Sequence, residues 1–106
     1  MEMFNVFISQ PMNGKTSKEI LAERTKIIES AVRFCPKDKV MNIIPSYFGD
    51  FDNVVVKNKP LFYLGKSIEM LAEADLAVFG KGWGDARGCV IEKLCAERYG
   101  IETYCV

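Results

Sequence analysis

The chain has 106 residues, 14 basic and 14 acidic, with no net formal charge, no histidine and 49% hydrophobic residues. That length fits a single domain over residues 1–106. With no basic block and no window near the ~20 apolar residues of a membrane span, neither bulk nucleic acid nor a membrane is an expected partner. The absent histidine excludes Ser-His and Cys-His nucleophile pairs and leaves carboxylates as the natural acid and base groups. Cys35, Cys89, Cys95 and Cys105 lack Cys-x-x-Cys spacing and sit in apolar segments, so neither a metal site nor a disulfide framework is expected.

Met3 to Ser9 is a short, continuously apolar run that predicts a strand covered on both faces. This start reads as a strand and not as a signal peptide, so the expected location is the cytoplasm. The loop Ser9-Gln10-Pro11-Met12-Asn13-Gly14 follows. Thr16 with Glu19 has the spacing of a capping box, and Ile20, Leu21, Ile27, Ile28, Ala31, Val32 and Phe34 recur at helical spacing for about five turns. Pro36 and the polar residues after it close that helix, and Val40 to Ile44 is the second strand.

Ser46 to Lys59 carries Tyr47, Phe48 and Phe51 among polar residues, and reads as a cover over a cleft, a subunit contact or a core plug. Asn58 and Pro60 predict a helix start, with Leu61, Leu64, Ile68 and Leu71 along one face. Leu76 to Phe79 is the third strand, Gly88 to Tyr99 the last helix, Gly100 its stop, and Glu102 to Val106 the fourth strand. Regular alternation of strand and helix predicts an α/β, doubly wound, flavodoxin-like parallel sheet in order 2-1-3-4, with helices on both faces. In that order the Ser9-to-Gly14 loop meets the Gly80-to-Gly88 loop, at the crevice where such folds place ligands.

Around the last helix, Val90, Leu94, Ile91 and Cys95 mark the expected buried side, and Lys93 with Glu97 a charged strip. Glu92 lies off that strip, on a stripe with Gly88, Cys95, Ala96 and Tyr99. It reads either as a desolvated carboxylate beside a ligand, or as a first-turn glutamate favoured by the helix dipole by ~0.3–1 kcal/mol. Gly14-Lys15-Thr16 suggests a phosphate loop, but Ser9 stands where the motif needs glycine and Pro11 removes an N–H group. Trp83, among Gly80, Gly82, Gly84 and Gly88, reads as a base-stacking platform or as a cover for the sheet end.

Phe4 to Gly14, Ala74 to Phe79, Gly82-Trp83 and Gly88-Cys89-Val90-Ile91-Glu92 resemble the nucleoside 2-deoxyribosyltransferase-like superfamily, in its branch of short bacterial and phage proteins. The resemblance implies that Glu92 attacks the anomeric carbon of a deoxyribosyl group and that the Ser9-to-Gly14 loop holds the sugar or a 5′-phosphate. It also implies a homodimer and no organic cofactor. Phe7 stands where the family usually has a tyrosine, Ser67 where it has a helper aspartate, and Ala86 where it often has Asp or Ser, with Asp85 adjacent.

The expected site is therefore Glu92 and Ser67 as catalytic groups, with Ser9, Gln10, Met12, Gly14, Gly82, Trp83, Asp85, Arg87 and Gly88 around a nucleoside or nucleotide. Two functions follow: cleavage or transfer at an N-glycosidic bond, or a non-catalytic nucleotide-binding or interaction module that kept the fold.

Overall fold

Four parallel strands and three helices build the computed structural model, which describes residues 2–46 and 54–106. In chain order these are β1 (Met3–Ser9), α1 (Ser17–Ala31), β2 (Val40–Pro45), α2 (Lys59–Leu71), β3 (Leu76–Phe79), α3 (Arg87–Arg98) and β4 (Glu102–Cys105). The sheet runs β2-β1-β3-β4, and every pair is parallel. This is the expected doubly wound order, with β1 and β3 as the inner strands.

The local signals act as their chemistry predicts. Thr16 caps α1, its hydroxyl accepting from Glu19 N at 3.1 Å while Thr16 N donates to the Glu19 carboxylate at 3.1 Å. The helix tightens into a 3₁₀ turn at Val32–Phe34, so its regular part is shorter than the apolar spacing suggests. The Asn58 side chain accepts from Leu61 N at 3.0 Å, and Pro60 occupies the first turn of α2. Gly100, at φ +75°, closes α3: Ile101 N donates to Ala96 O and Gly100 N to Glu97 O, a Schellman pattern that needs the left-handed conformation.

The pleat divides the core in two. Val6, Ile8, Leu76 and Val78 face one way and pack on Ile27 and Ala31 of α1. Phe7, Ala77 and Phe79 face the other way and pack on Leu71 of α2 and Ala96 of α3. Helices therefore cover both faces, as right-handed crossovers from β1 leftward and from β3 rightward require. Among the described residues no helix is long and apolar enough to cross a membrane.

Two helix faces differ from the periodicity reading. In α2 the buried stripe is Tyr63, Ser67 and Leu71, and Leu61 is 62% exposed. In α3 the buried residues are Cys89, Glu92 and Ala96, while Val90, Ile91 and Leu94 turn outward and Tyr99, past the helix end, is exposed. The sheet accepts the polar side of α3 because partners on β1 and α2 satisfy its carboxylate. Tyr47, Phe48 and Phe51 of the aromatic segment lie outside the described residues.

Candidate functional site

The carboxyl ends of β1, β2 and β3 open onto one cleft of about 520 Å³. Its floor is built from groups that start far apart in sequence. Ser9 is the last residue of β1 and fully buried, and its hydroxyl donates to Oε1 of Glu92 at 2.6 Å. Ser67, on the buried stripe of α2, also hydrogen-bonds that carboxylate through its hydroxyl. Glu92 itself, 4% exposed, reaches in from the second turn of α3 and lines the cleft. At 2.6 Å the contact is at the short end of the range for O–H···O hydrogen bonds.

Burial pushes the Glu92 carboxyl above its ordinary value, and the hydrogen bonds from Ser9 and Ser67 pull it partly back. Cys89, one turn earlier on the same stripe, lines the cleft too. Burial raises its thiol; a hydrogen bond with Ser9 opposes the rise and the nearby Glu92 carboxylate adds to it. The carboxyl group is thus desolvated yet doubly hydrogen-bonded, and it lacks most of the water that would blunt an attack on carbon.

The walls come from three segments. The β1 loop contributes Gln10, Pro11, Met12 and Asn13. The Gln10 amide is turned onto α1, where Nε2 donates to Ile20 O at 3.0 Å and Oε1 accepts from Arg24 Nε at 3.1 Å. Its side chain anchors the loop, then, while the following residues face the cleft. From α2 come Pro60, Tyr63 and Leu64, a helical stripe continuing to Ser67. The β3 to α3 turn supplies Gly82, Asp85, Ala86, Arg87 and Gly88. At Gly80 the loops almost touch: an added Cβ would lie 3.2 Å from Gln10 Cβ and 2.9 Å from Ile27 Cδ1.

Two expected site residues stand elsewhere. Gly14, at φ +75°, serves the turn into α1 and does not line the cleft. Trp83 packs on Phe79 with ring centroids 6.1 Å apart and carries Lys93 Nζ 4.9 Å above its ring, so it covers the sheet end and does not line the cleft. Ser9 belongs to the site through Glu92, since its own surface is closed. Lys15, the lysine a phosphate loop would use, is paired with Glu23 at 2.8 Å.

Sequence reading missed Ser46, Cys89, Pro60 and Leu64 as cleft-lining residues, whereas Tyr63, one turn before Ser67, is a neighbour it does point to beside Glu92. The spacing of Pro60, Tyr63, Leu64 and Ser67 is itself a helical face and could have revealed them. Their mixed chemistry hid it. Among the described residues no three His, Cys, Asp or Glu side chains stand together as metal ligands would.

No family of known proteins, no curated protein and no solved structure matches the chain. The chemistry of the cleft is therefore what bears on function.

Proposed function

We propose that the protein binds a nucleoside, nucleotide or related ribosyl compound in this cleft and cleaves or transfers at its N-glycosidic bond, with Glu92 as nucleophile. The observation that carries the proposal is the buried Glu92 carboxylate at the floor of the cleft, held by hydroxyls from β1 and α2. A glycosidic carbon reacts through an oxocarbenium-like state, which a negative charge within bonding distance stabilises and then captures. In the forward step a Glu92 oxygen bonds to the anomeric carbon, the carbon–nitrogen bond breaks, and the base leaves with the electron pair and takes a proton from water in the open cleft. Water or a second base then displaces the ester and restores the carboxylate. The cleft volume is within the ~300–1,000 Å³ usual for small-molecule sites.

Ser9 and Ser67 take the place of the tyrosine and aspartate that the resemblance leads one to expect around the glutamate. Phe7 cannot do so, because it is fully buried in the core against α2 and α3. A homodimer remains part of this reading. It is supported by the outward side of α3, where Val90, Ile91 and Leu94 are 40%, 36% and 51% exposed, apolar surface that a second copy would cover. A cytoplasmic location is likewise part of the proposal.

One observation favours the second reading, a binding module without turnover. Among the described residues lining the cleft, Asp85 is the only carboxylate besides Glu92, and it is exposed. The deciding experiment incubates the protein with deoxynucleosides and their 5′-monophosphates and measures free base. Release by the wild type that is abolished in Glu92→Gln supports the enzyme. No release, with ligand-dependent thermal stabilisation that survives Glu92→Gln, supports the binding module.

A further inference from the structure

Among the described residues lining the cleft, six carry a hydroxyl, thiol or carboxyl group: Ser46, Tyr63, Ser67, Asp85, Cys89 and Glu92. Alcohols, phenols and thiols hold their protons near neutrality, and burial raises the Cys89 thiol further. The hydroxyl of Ser67, like that of Ser9, is engaged with Glu92. Of the two carboxyl groups, Asp85 is exposed on the turn before α3 and Glu92 is the attacking group at the floor. The described lining is thus equipped to attack carbon better than to protonate a departing ring nitrogen. A neutral base must gain that proton as it leaves, whereas a ring that is already cationic departs neutral.

Charge points the same way. Two carboxyl groups in the described lining stand against one guanidinium, that of Arg87, and Lys15 is held by Glu23 at 2.8 Å. Burial penalises the charged form of Glu92, and a positive ring close by favours that form, so a cationic ligand helps to ionise the group that attacks it. Pro11, Met12, Tyr63 and Leu64 give the walls apolar, polarisable and aromatic surface, which suits a flat cationic ring.

We propose that the cleft selects N-glycosides of a heterocycle that is already cationic, such as N-ribosylpyridinium compounds and N7-alkylated purine nucleosides. Their cleavage rests on the nucleophile reading of Glu92; the preference of the cleft for a cationic ring does not. A Glu92 oxygen bonds to the anomeric carbon as the bond to the ring nitrogen breaks. The electron pair of that bond neutralises the nitrogen, so the leaving group needs no proton. Water then displaces the ester, restores the carboxylate and releases one proton to solvent.

Two pairs of compounds that differ in little but charge provide the test. Nicotinamide riboside is compared with its neutral dihydro form at neutral pH, and N7-methylguanosine with guanosine at mildly acidic pH, where the methylated purine is a cation. Free base is measured above the uncatalysed rate, with the wild type and with Glu92→Gln. A kcat/KM for each cation roughly a hundredfold or more above that of its neutral partner, lost in Glu92→Gln, supports the proposal, since a general acid contributes at least about that factor. A smaller ratio in either pair overturns it and leaves the nucleophile reading standing. Release from none of the four compounds removes the nucleophile reading, and melting temperatures with the same compounds then decide the preference. A higher melting temperature with each cation than with its neutral partner keeps the preference, and equal stabilisation within the pairs overturns it.

Discussion

Ser9 and Glu92, 83 residues apart in the chain, meet with Oγ and Oε1 at 2.6 Å in a buried contact. The contact joins the end of β1 to the second turn of α3. It is possible because β1 and β3 are sheet neighbours, with Ser9 paired to Phe79 and α3 following β3 after a short turn.

Removing the hydroxyl should be felt in the protonation of Glu92. Ser9 pulls the Glu92 pKa down against burial, so Ser9→Ala lets it rise further. The acid limb of base release is expected to move to higher pH, and kcat to fall by about tenfold or more where the limb is passed. A pH–rate profile with an unmoved acid limb would refute the role given to Ser9.

Stability should depend on pH through the same carboxyl. The folded pKa of Glu92 is raised above its ordinary 4.5, so folding favours the protonated form. Its contribution is complete below the unfolded value and is lost as pH rises through the folded one. Glu92→Gln does not titrate. Its melting temperature relative to the wild type is therefore expected to climb between pH 4 and pH 8, as followed by circular dichroism, and a constant difference across that range would contradict the shift.

Gly80 has little room for a side chain unless its neighbours shift. In Gly80→Ala the new Cβ would meet Ile27 Cδ1 at 2.9 Å and Gln10 Cβ at 3.2 Å. The expected cost is about 1–3 kcal/mol, or roughly 4–8 °C in melting temperature per kcal/mol. Ligand affinity should fall too, because displacing Gln10 moves the loop that its amide ties to Ile20 and Arg24. A variant as stable as the wild type would show that the loops can part freely.

The proposed homodimer is tested on α3. Leu94, 51% exposed, makes no part of the cleft, so Leu94→Arg should leave the site intact and reduce the mass in light scattering from two chains to one. A wild-type mass of one chain would remove the dimer from the reading.

Much of the fold is written locally. The alternation of short apolar runs with amphipathic ones, the capping pair Thr16 and Glu19, Asn58 before Pro60, and Gly100 after α3 each act within a few residues, and chain handedness then leaves little choice but the order 2-1-3-4. Glu92 also stands out in sequence, as a carboxylate set off from the Lys93 and Glu97 strip. Its surroundings do not. Periodicity assigns the inward side of α3 to Val90, Ile91 and Leu94, because it assumes that apolar residues choose the buried face. In the structure that face is Cys89, Glu92 and Ala96, since Ser9 and Ser67 arrive from other elements to satisfy the carboxylate. Strand pairing and helix docking, which no local window contains, likewise send Trp83 onto Phe79 and put Tyr63 and Cys89 into the cleft. The sequence by itself determined the elements and their order and set one carboxylate, Glu92, apart on the last helix; only the tertiary structure decided which groups surround it, because hydrogen bonds between distant segments outweighed the apolar preference of a single helix.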